Sequence, residues 1–372
     1  MFKQYRIRDY DFKLLILLIA ITAVGIIAIG SADSSYQNRQ LWGALFGLFM
    51  MLFLSVTDYT FLLKFYWVYY ILNLVLLTLV RLFGDSSNNA QRWFEVAGIR
   101  FQPSETSKIL LILFYAQFIM VHREKLNSLK NILLMFALLI PPFWLIYIQP
   151  DFSTSVIVMV IFATMLFVGG LSMRIILTTL AVVVPTFLIM LSIVLQPDQT
   201  LIRDYQRNRI LAYLHPEEYE TGEAYQQNNS VMAIGSGQLT GKGYRNNEIT
   251  SVKNGNFISE PQTDFIFAII GEEFGFAGTC TVIILLFLIA TECFLVGMRS
   301  RDISGTVICA GIGIEVAFQS FINIGVATFL IPNTGLPLPF VSYGLSSLLS
   351  LFIGMGFVMN VSLQRKEKNQ NQ

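Results

Sequence analysis

Long apolar segments recur along this chain and constrain its fold more than any other feature. A helix that crosses a bilayer needs about 20 consecutive apolar residues. Because 54% of the residues are hydrophobic and only 13% are charged, a water-soluble fold could not bury this much apolar surface. The sequence therefore predicts an all-α polytopic membrane protein with ten transmembrane helices. They lie near residues 14–32, 41–57, 60–80, 104–121, 131–149, 152–171, 175–196, 264–291, 303–330 and 341–364.

Basic residues are distributed unevenly between the predicted loops, and this distribution predicts the orientation of the chain. Lys and Arg are enriched in the cytoplasmic loops of membrane proteins. The short loops on one side contain Arg39, Arg92 and Arg100. We predict that the other side, with both termini, is cytoplasmic. Its basic residues are Lys3, Arg6, Arg8, Lys13, Arg123, Lys125, Lys130, Arg174, Arg299, Arg301, Arg365, Lys366 and Lys368.

One polar stretch, residues 197–263, is much longer than the other connections. Because it carries apolar residues such as Leu211 and Tyr213 among its charges, its composition is not that of a disordered segment. We predict one large extracellular loop between helices 7 and 8, within a single membrane domain that spans residues 1–372. Residues 203–214 are predicted to form an amphipathic helix at the membrane interface. Its arginines, expected to face head groups, are Arg203, Arg207 and Arg209.

An acidic residue marks the end of this loop. Asp264 precedes the apolar run 265–270 without a linker, and Glu272 and Glu273 follow two turns later. A charge at the bilayer centre costs about 3 kcal/mol or more, so ionisable groups near membrane segments need a reason. Thr263 or Asp264 could be an ordinary N-cap of the eighth helix. Asp264 could equally be a reaction site at the membrane surface.

Two further motifs place charges beside predicted helices. Pro103 suits a helix start, and Glu105 and Lys108 follow on one helical face. This pair is either a surface ion pair or a charged pair that faces a membrane cavity, with Lys108 available for an anionic ligand. Asp151 lies in a tight turn after Gln-Pro, where it is either a helix N-cap or another outer-face carboxylate.

Glycine and proline mark two more segments. The glycine-rich run 233–243 could form backbone nests for phosphate, although such glycines more often form turns. It is not a P-loop, because no Ser or Thr follows Gly241-Lys242. The prolines of segment 335–344 exclude a continuous helix and predict an external turn or re-entrant segment. Glu315, in the middle of the ninth span, is by default a functional candidate.

Ordered sequence blocks cover nearly the whole chain. They are Ala90-Gln-Arg-Trp93, Phe101-Gln-Pro-Ser-Glu105 with Lys108, Gln149-Pro-Asp151, Asp204-Tyr-Gln-Arg207 with Pro216-Glu217, Ala233-Ile-Gly-Ser-Gly237, Thr263-Asp-Phe-Ile-Phe-Ala268 with Glu272-Glu273-Phe-Gly275, and Pro337-Leu-Pro-Phe-Val-Ser-Tyr-Gly344. Together they resemble the SEDS family of bacterial cell-wall proteins, the group of RodA, FtsW and SpoVE, and the RodA branch more than the FtsW branch.

The resemblance implies ten transmembrane helices, a large extracellular loop and an activity, the polymerisation of lipid II into glycan strands. It also implies that Asp264 is essential and that Glu105, Lys108 and Asp151 are functional. Glu315 matches no motif of the family and is expected to be a locally satisfied carboxylate. This sequence departs from the family pattern at Gln262, often a His, at Pro261, which breaks the usual Pro-Glu order beside Glu260, and at Ser153 and Leu345, often glycines.

Glycan polymerisation requires a base near the acceptor sugar hydroxyl and positive charge where undecaprenyl pyrophosphate leaves. We predict that Asp264 is the catalytic base, or that it holds the hydroxyl through a divalent cation such as Mg²⁺ or Mn²⁺. Lys108 would steady the pyrophosphate, and Glu105 would tune Lys108. The remaining residues predicted to bind substrate are Asp151, Arg203, Arg207, Glu260, Lys242 and Ser342.

Two other functional classes fit the same pattern. A lipid II flippase or other transporter would also use many spans and intramembrane charges, and a non-catalytic scaffold of an elongation or division complex is a third reading. The resemblance implies lipid II as substrate and, as partners, a class B penicillin-binding protein and other proteins of these complexes. It also implies a location in the bacterial cell membrane with an extracellular active face. A net charge of +1 gives no indication of nucleic-acid binding.

Overall fold

The protein is described by a computed structural model at residues 10–87, 90–96, 99–194, 196, 204–219, 222, 224–245, 251, 255 and 257–364. Arg203 and most of the basic residues of both termini lie outside these residues. The helices are α1 (Phe12–Ala32), α2 (Ser34–Ser55), α3 (Tyr59–Leu62), α4 (Tyr66–Phe83), α5 (Pro103–Val121), α6 (Leu129–Ile148), α7 (Phe152–Val168), α8 (Met173–Val194), α9 (Asp204–Leu214), α10 (Tyr225–Ser236), α11 (Ile266–Met298), α12 (Ile303–Ala327) and α13 (Leu345–Leu363).

Within the described residues, seven helical segments are long and apolar enough to cross a membrane, as expected for a multi-pass membrane protein. They are α1, the continuous segment Tyr59–Phe83, α5, α6, α11, α12 and α13. The other three predicted segments coincide with α2, α7 and α8. Of these, α7 is shorter, with 17 residues, and the first turns of α2 are polar. The count of ten spans and the orientation of the termini therefore stay predictions.

A small antiparallel sheet interrupts the helical architecture between α4 and α5. Its strands β1 (Asp85–Ser87), β2 (Ala90–Val96) and β3 (Ile99–Phe101) pair in the order β1-β2-β3. This sheet departs from the predicted all-α fold. Three-residue strands carry too short an alternation of polar and apolar residues to predict from sequence. Ser346 anchors the sheet, because its hydroxyl donates to Arg100 O (3.0 Å) and accepts from Gln102 N (3.1 Å).

The centre of the bundle is formed by α5, α12 and α13. In these three helices most residues are buried, whereas α2, α4 and α6 leave many large apolar side chains at the surface. Such side chains suit a lipid environment, because lipid tails are as apolar as the side chains themselves. Buried polar residues of α5 and α12 therefore lie in the part of the molecule farthest from lipid.

The long loop contributes two helices that pack on the end of α12. Helix α9 (Asp204–Leu214) confirms the predicted helix over the described residues, and its Tyr213 donates a hydrogen bond to Leu330 O (2.9 Å). In α10, Gln227 Nε2 donates to the carbonyls of Val326 (3.0 Å) and Ile331 (2.9 Å). The described part of the loop is therefore docked on the membrane helices.

Candidate functional site

Asp264 lies in a turn immediately before α11, and its side chain does not cap the helix. The N-cap position is occupied by Phe265 and has no side-chain hydrogen bond. Thr263 uses its hydroxyl to donate to Glu260 O (2.8 Å). The alternative in which Thr263 or Asp264 is an ordinary N-cap is therefore wrong, and the Asp264 carboxylate is not consumed by helix capping.

The main chain around Asp264 is held by three hydrogen bonds from outside the turn. Ser342 Oγ donates to Thr263 O (2.5 Å), and Tyr343 N donates to Gln262 O (2.8 Å). Asn323 Nδ2 donates to Asp264 O (2.8 Å). These bonds fix the backbone of residues 262–264 and leave the carboxylate to other partners.

Charged groups from three segments act electrostatically on the Asp264 carboxyl group, and part of the residue reaches the surface. Burial raises its pKa to about 6. The Arg209 guanidinium opposes this shift, the Glu260 carboxylate adds to it, and Arg92 opposes it. Gly335 lies so near that a Cβ at that position would be 3.4 Å from Asp264 Oδ2. The charges that act on Asp264 are therefore Glu260, which was predicted to bind substrate, and two arginines that were not in the predicted site.

Those two arginines are positioned by backbone carbonyls. Arg92, in β2, donates from Nε to Gln149 O (2.8 Å) and from its guanidinium to Pro150 O. Arg209, in α9, donates to Asn333 O (3.4 Å). Arg207 lies on the same helix two residues earlier and is partly buried. The sequence signal for Arg92 was its place in the Ala90-Gln-Arg-Trp93 block.

Lys108 lies in the protein core and has three polar partners there. Its ammonium is 3.1 Å from Glu105 Oε2 and 3.2 Å from Glu315 Oε1, and it donates to Gln319 Oε1 (2.8 Å). Its side chain has no exposed surface. Lys108 thus donates hydrogen bonds to Glu105 and Gln319 and forms an ion pair with Glu315. The placement does not support direct contact between Lys108 and a pyrophosphate, and Glu315 is a partner of Lys108 across helices rather than a locally satisfied group.

A polar stripe runs along α12, formed by Glu315, Gln319 and Asn323. The spacing of four residues places these side chains on one face of the helix. Gln319 Nε2 donates to Pro337 O (2.9 Å), and Asn323 Nδ2 donates to Leu336 O (2.7 Å) as well as to Asp264 O. Gln319 and Asn323 were not predicted as site residues, although their spacing of four within an apolar helix is visible in the sequence.

Asp151 is a helix cap that also joins two motifs. It accepts from Thr154 N (3.3 Å) at the start of α7, and its other oxygen accepts from Ser104 Oγ (3.0 Å) and Gln102 Nε2 (3.2 Å). The capping alternative is confirmed. Asp151 is buried and links α7 to the start of α5.

Ser342 is likewise engaged within the protein. It is buried, accepts from Leu338 N (2.8 Å) and donates to Thr263 O. Gln40 Nε2 donates to its carbonyl (3.1 Å). Ser342 therefore joins segment 335–344 to the turn that carries Asp264, and this placement does not support its predicted contact with substrate.

Helix α11 is broken at Gly275, where φ is 64° and ψ is −159°. In a regular helix, Phe276 N–H would donate to Glu272 O and Ala277 N–H to Glu273 O. The kink separates these groups and leaves two donors and two acceptors of the main chain without helical partners.

The glycine-rich run supplies the missing partners. Lys242 N and Gly243 N donate to the two freed carbonyls (2.9 and 3.0 Å), and the two freed amides donate to Gln238 O and Leu239 O (2.8 and 3.1 Å). We refer to residues 237–243 as the glycine segment. Four backbone hydrogen bonds between this segment and α11 thus replace the two hydrogen bonds that the helix loses at the kink.

Glycine is required here because two backbones approach very closely. A Cβ at Gly237 would lie 1.9 Å from a carbonyl oxygen of α11, and one at Gly241, where φ is +83°, would lie 2.1 Å from another. The glycine-rich run therefore packs against the backbone of α11, and its interpretation as a phosphate nest is wrong. Lys242, predicted to bind substrate, pairs with Glu272 through a 2.9 Å contact.

Ligands for a metal are not grouped in the part of the chain that the structure describes. No three or more His, Cys, Asp or Glu residues there are arranged to hold a metal ion. Among the described residues, the charged groups that act on Asp264 are one carboxylate and two guanidinium groups. This set of side chains is suited to an anion beside a carboxylate.

Comparisons with known proteins agree with this architecture. The family FtsW/RodA/SpoVE, described as "Cell cycle protein", matches residues 10–367. The peptidoglycan glycosyltransferase MrdB of Escherichia coli K12 is 34% identical over 360 residues, which are 96% of this chain and 94% of that protein. A probable peptidoglycan glycosyltransferase FtsW of Trichlorobacter lovleyi is 31% identical over 374 residues, 97% of this chain and 95% of that protein.

Two solved structures share the fold. One comes from work on how a peptidoglycan synthase complex coordinates polymerisation and crosslinking, and its chain aligns with a TM-score of 0.78 and 28% identity over 96% of this chain and 99% of its own. The other is the rod shape determining protein RodA of Thermus thermophilus, with a TM-score of 0.70 and 26% identity over 96% and 98% of the two chains.

Proposed function

Because this chain belongs to the FtsW/RodA/SpoVE family, we propose that it polymerises lipid II into glycan strands at the outer face of the bacterial cytoplasmic membrane. The chain is a peptidoglycan glycosyltransferase, the activity in the names of both relatives. The observation that carries the proposal is the Asp264 carboxylate, which no helix cap consumes, on which two arginines act electrostatically, and whose backbone is fixed by three hydrogen bonds.

Asp264 acts as the general base in this proposal. The acceptor sugar hydroxyl gives its proton to the carboxylate as its oxygen forms a bond to the anomeric carbon of the donor. The bond between that carbon and the pyrophosphate oxygen breaks, and undecaprenyl pyrophosphate leaves. A positioned base contributes about 10²- to 10⁴-fold to a rate.

The arginines near Asp264 stabilise the leaving pyrophosphate. Guanidinium groups bind phosphate oxygens through paired N–H donors, and Arg92 and Arg209 are held by backbone carbonyls in the vicinity of Asp264. Arg207, on the same helix as Arg209, keeps its predicted role, and we assign Lys108 and Glu105 to the support of the site. Arg203 lies outside the described residues and keeps its predicted role.

The acid limb of the pH profile should report Asp264. A carboxyl group accepts a proton only when it is ionised, so kcat/KM is expected to rise as the pH increases through about 6 and to level off above. Arg209→Gln removes a charge that favours the ionised form and should move this limb to higher pH. Glu260→Gln should move it to lower pH. Initial rates of glycan synthesis over a range of pH values test both shifts, and a limb that neither variant moves contradicts the assignment.

A divalent cation between Asp264 and the acceptor hydroxyl is a separate part of the proposal. The nearby Glu260 carboxylate is the other candidate ligand, and the two arginines oppose a cation. Glycan synthesis that is unaffected by chelators would remove the cation from the proposal.

A lipid II transporter is the second candidate. It is favoured by the charged cluster of Glu105, Lys108 and Glu315 inside the helical bundle, since intramembrane charges often mark transport pathways. Purified protein in liposomes with labelled lipid II separates the two functions. We expect glycan polymer on the side of the membrane that Asp264 faces. Movement of lipid II between leaflets without polymer would overturn the proposal.

Partners and location follow from the same function. We propose that the chain works with a class B penicillin-binding protein, whose transpeptidase crosslinks the new strands, within a complex for cell elongation and shape or for division. The likeness to a chain of a peptidoglycan synthase complex supports this partnership. The active face is proposed to be extracellular, since lipid II offers its sugars there to a site at the membrane surface.

A further inference from the structure

We propose that Asn323 of α12 is a positioning residue for Asp264 and sets the gap between the base and segment 335–344. This inference rests on the proposed function, because it concerns the same carboxylate. Asn323 is buried, so it is expected to act through Asp264 and not through contact with substrate.

One amide group of Asn323 joins two separate segments. Its Nδ2 donates to Asp264 O (2.8 Å) and to Leu336 O (2.7 Å). The amide orientation is determined, because two carbonyl oxygens can be satisfied only by the NH₂ end of the side chain. Asp264 and Leu336 are thereby held to a single atom, and Gly335 beside Leu336 faces the Asp264 carboxylate.

The other end of the amide argues against a packing role. Asn323 Oδ1 is buried and has no hydrogen-bond partner among the described residues. Burying such an acceptor unsatisfied destabilises a fold. Leucine has almost the same shape and would avoid this cost, so packing alone does not account for an asparagine here. The two donated hydrogen bonds do.

A second amide, one turn earlier, supports the same segment. Gln319 Nε2 donates to Pro337 O (2.9 Å), while its Oε1 accepts from the Lys108 ammonium (2.8 Å). Because Lys108 can only donate, it fixes which end of the Gln319 side chain faces Pro337. Two consecutive carbonyls, those of Leu336 and Pro337, are therefore anchored to one face of α12.

The hydrogen bond from Asn323 to Asp264 is expected to affect the rate of the reaction more than the affinity for substrate. A displacement of about 1 Å at a reacting group can lower a rate 100-fold. Loss of the Asn323 amide would free the Asp264 carbonyl and let the carboxylate move relative to the arginines. Binding of the lipid and of most of the sugar surface would not depend on that bond.

Asn323→Leu tests the inference, and Gln227→Leu is its matched control. Gln227 is also buried and also donates two hydrogen bonds, to Val326 O and Ile331 O, yet its side chain has no bond to Asp264. We expect the two variants to lose similar thermal stability. Asn323→Leu should lower kcat of lipid II polymerisation about 10- to 100-fold with little change in KM, whereas Gln227→Leu should keep kcat.

Equal losses of kcat in both variants, or a wild-type kcat in Asn323→Leu, would overturn the proposal. If Asn323→Leu does not fold, Asn323→Ser keeps one donor in a smaller side chain and should give an intermediate kcat. Hydrogen exchange gives a readout that does not depend on activity. Exchange in peptides that cover residues 262–266 should rise in Asn323→Leu and not in Gln227→Leu. If the wild-type protein proves inactive, the proposed function is contradicted, and the exchange result still tests the role of Asn323.

Discussion

Asp264→Asn is expected to abolish glycan synthesis from lipid II while the protein stays folded. Asparagine has the same shape but cannot accept a proton, so the loss should reach about 1,000-fold, within the range for removal of a general base. The fold should tolerate the change, because the carboxylate does not cap α11 and the hydrogen bond from Asn323 goes to the backbone carbonyl. Polymerisation of labelled lipid II and thermal unfolding of the same preparation measure the two effects.

Asp33→Asn provides the control for this variant. Asp33 is also partly exposed and precedes a helix, but its side chain caps α2 by accepting from Ser35 N (2.9 Å). Asparagine caps helices about as well as aspartate, so Asp33→Asn should retain both activity and stability. Wild-type polymerisation by Asp264→Asn would end the assignment of Asp264 as the base.

Lys108→Met should cause the largest loss of stability. The change leaves Glu105 and Glu315 together in the core without their cation. Removing one partner of a buried ion pair costs about 3–5 kcal/mol. The expected results are a much lower unfolding temperature in detergent and a low yield of folded protein, both measured beside the wild type.

Neutralising the two carboxylates should restore stability in the Lys108→Met background. We expect Glu105→Gln together with Glu315→Gln to recover much of the loss, because no uncompensated charge is left in the core. If Lys108→Met instead unfolds at the wild-type temperature and raises KM for lipid II, then Lys108 contacts the substrate and its assignment to the support of the site is wrong.

The helical architecture and the family could be predicted because apolar segments and motif order are local properties of the chain. Each of the ten predicted segments coincides with a helix, and the resemblance to RodA, FtsW and SpoVE is confirmed by the comparisons. The sheet of β1 to β3 was missed because its strands have only three, seven and three residues, which is too short for a clear periodicity.

The interior of the site could be predicted less well, since it depends on contacts between distant segments. Asp264 was identified, but the charges that surround it come from β2 and α9 and from Glu260. The spacing of Glu315, Gln319 and Asn323 was visible in the sequence, yet their partners lie on α5 and on segment 335–344. Lys108 was predicted to meet substrate because nothing in a sequence reveals that three acceptors already surround it.

The glycine segment limits how this protein can be recombined with its relatives. Its backbone completes the hydrogen bonding of α11 at Gly275, and unsatisfied backbone groups at membrane depth cost several kcal/mol each. The long loop is therefore not an exchangeable module that begins and ends at the membrane surface. A working chimera would need residues 225–243 and helix Ile266–Met298 from the same parent, because each is a template for the other.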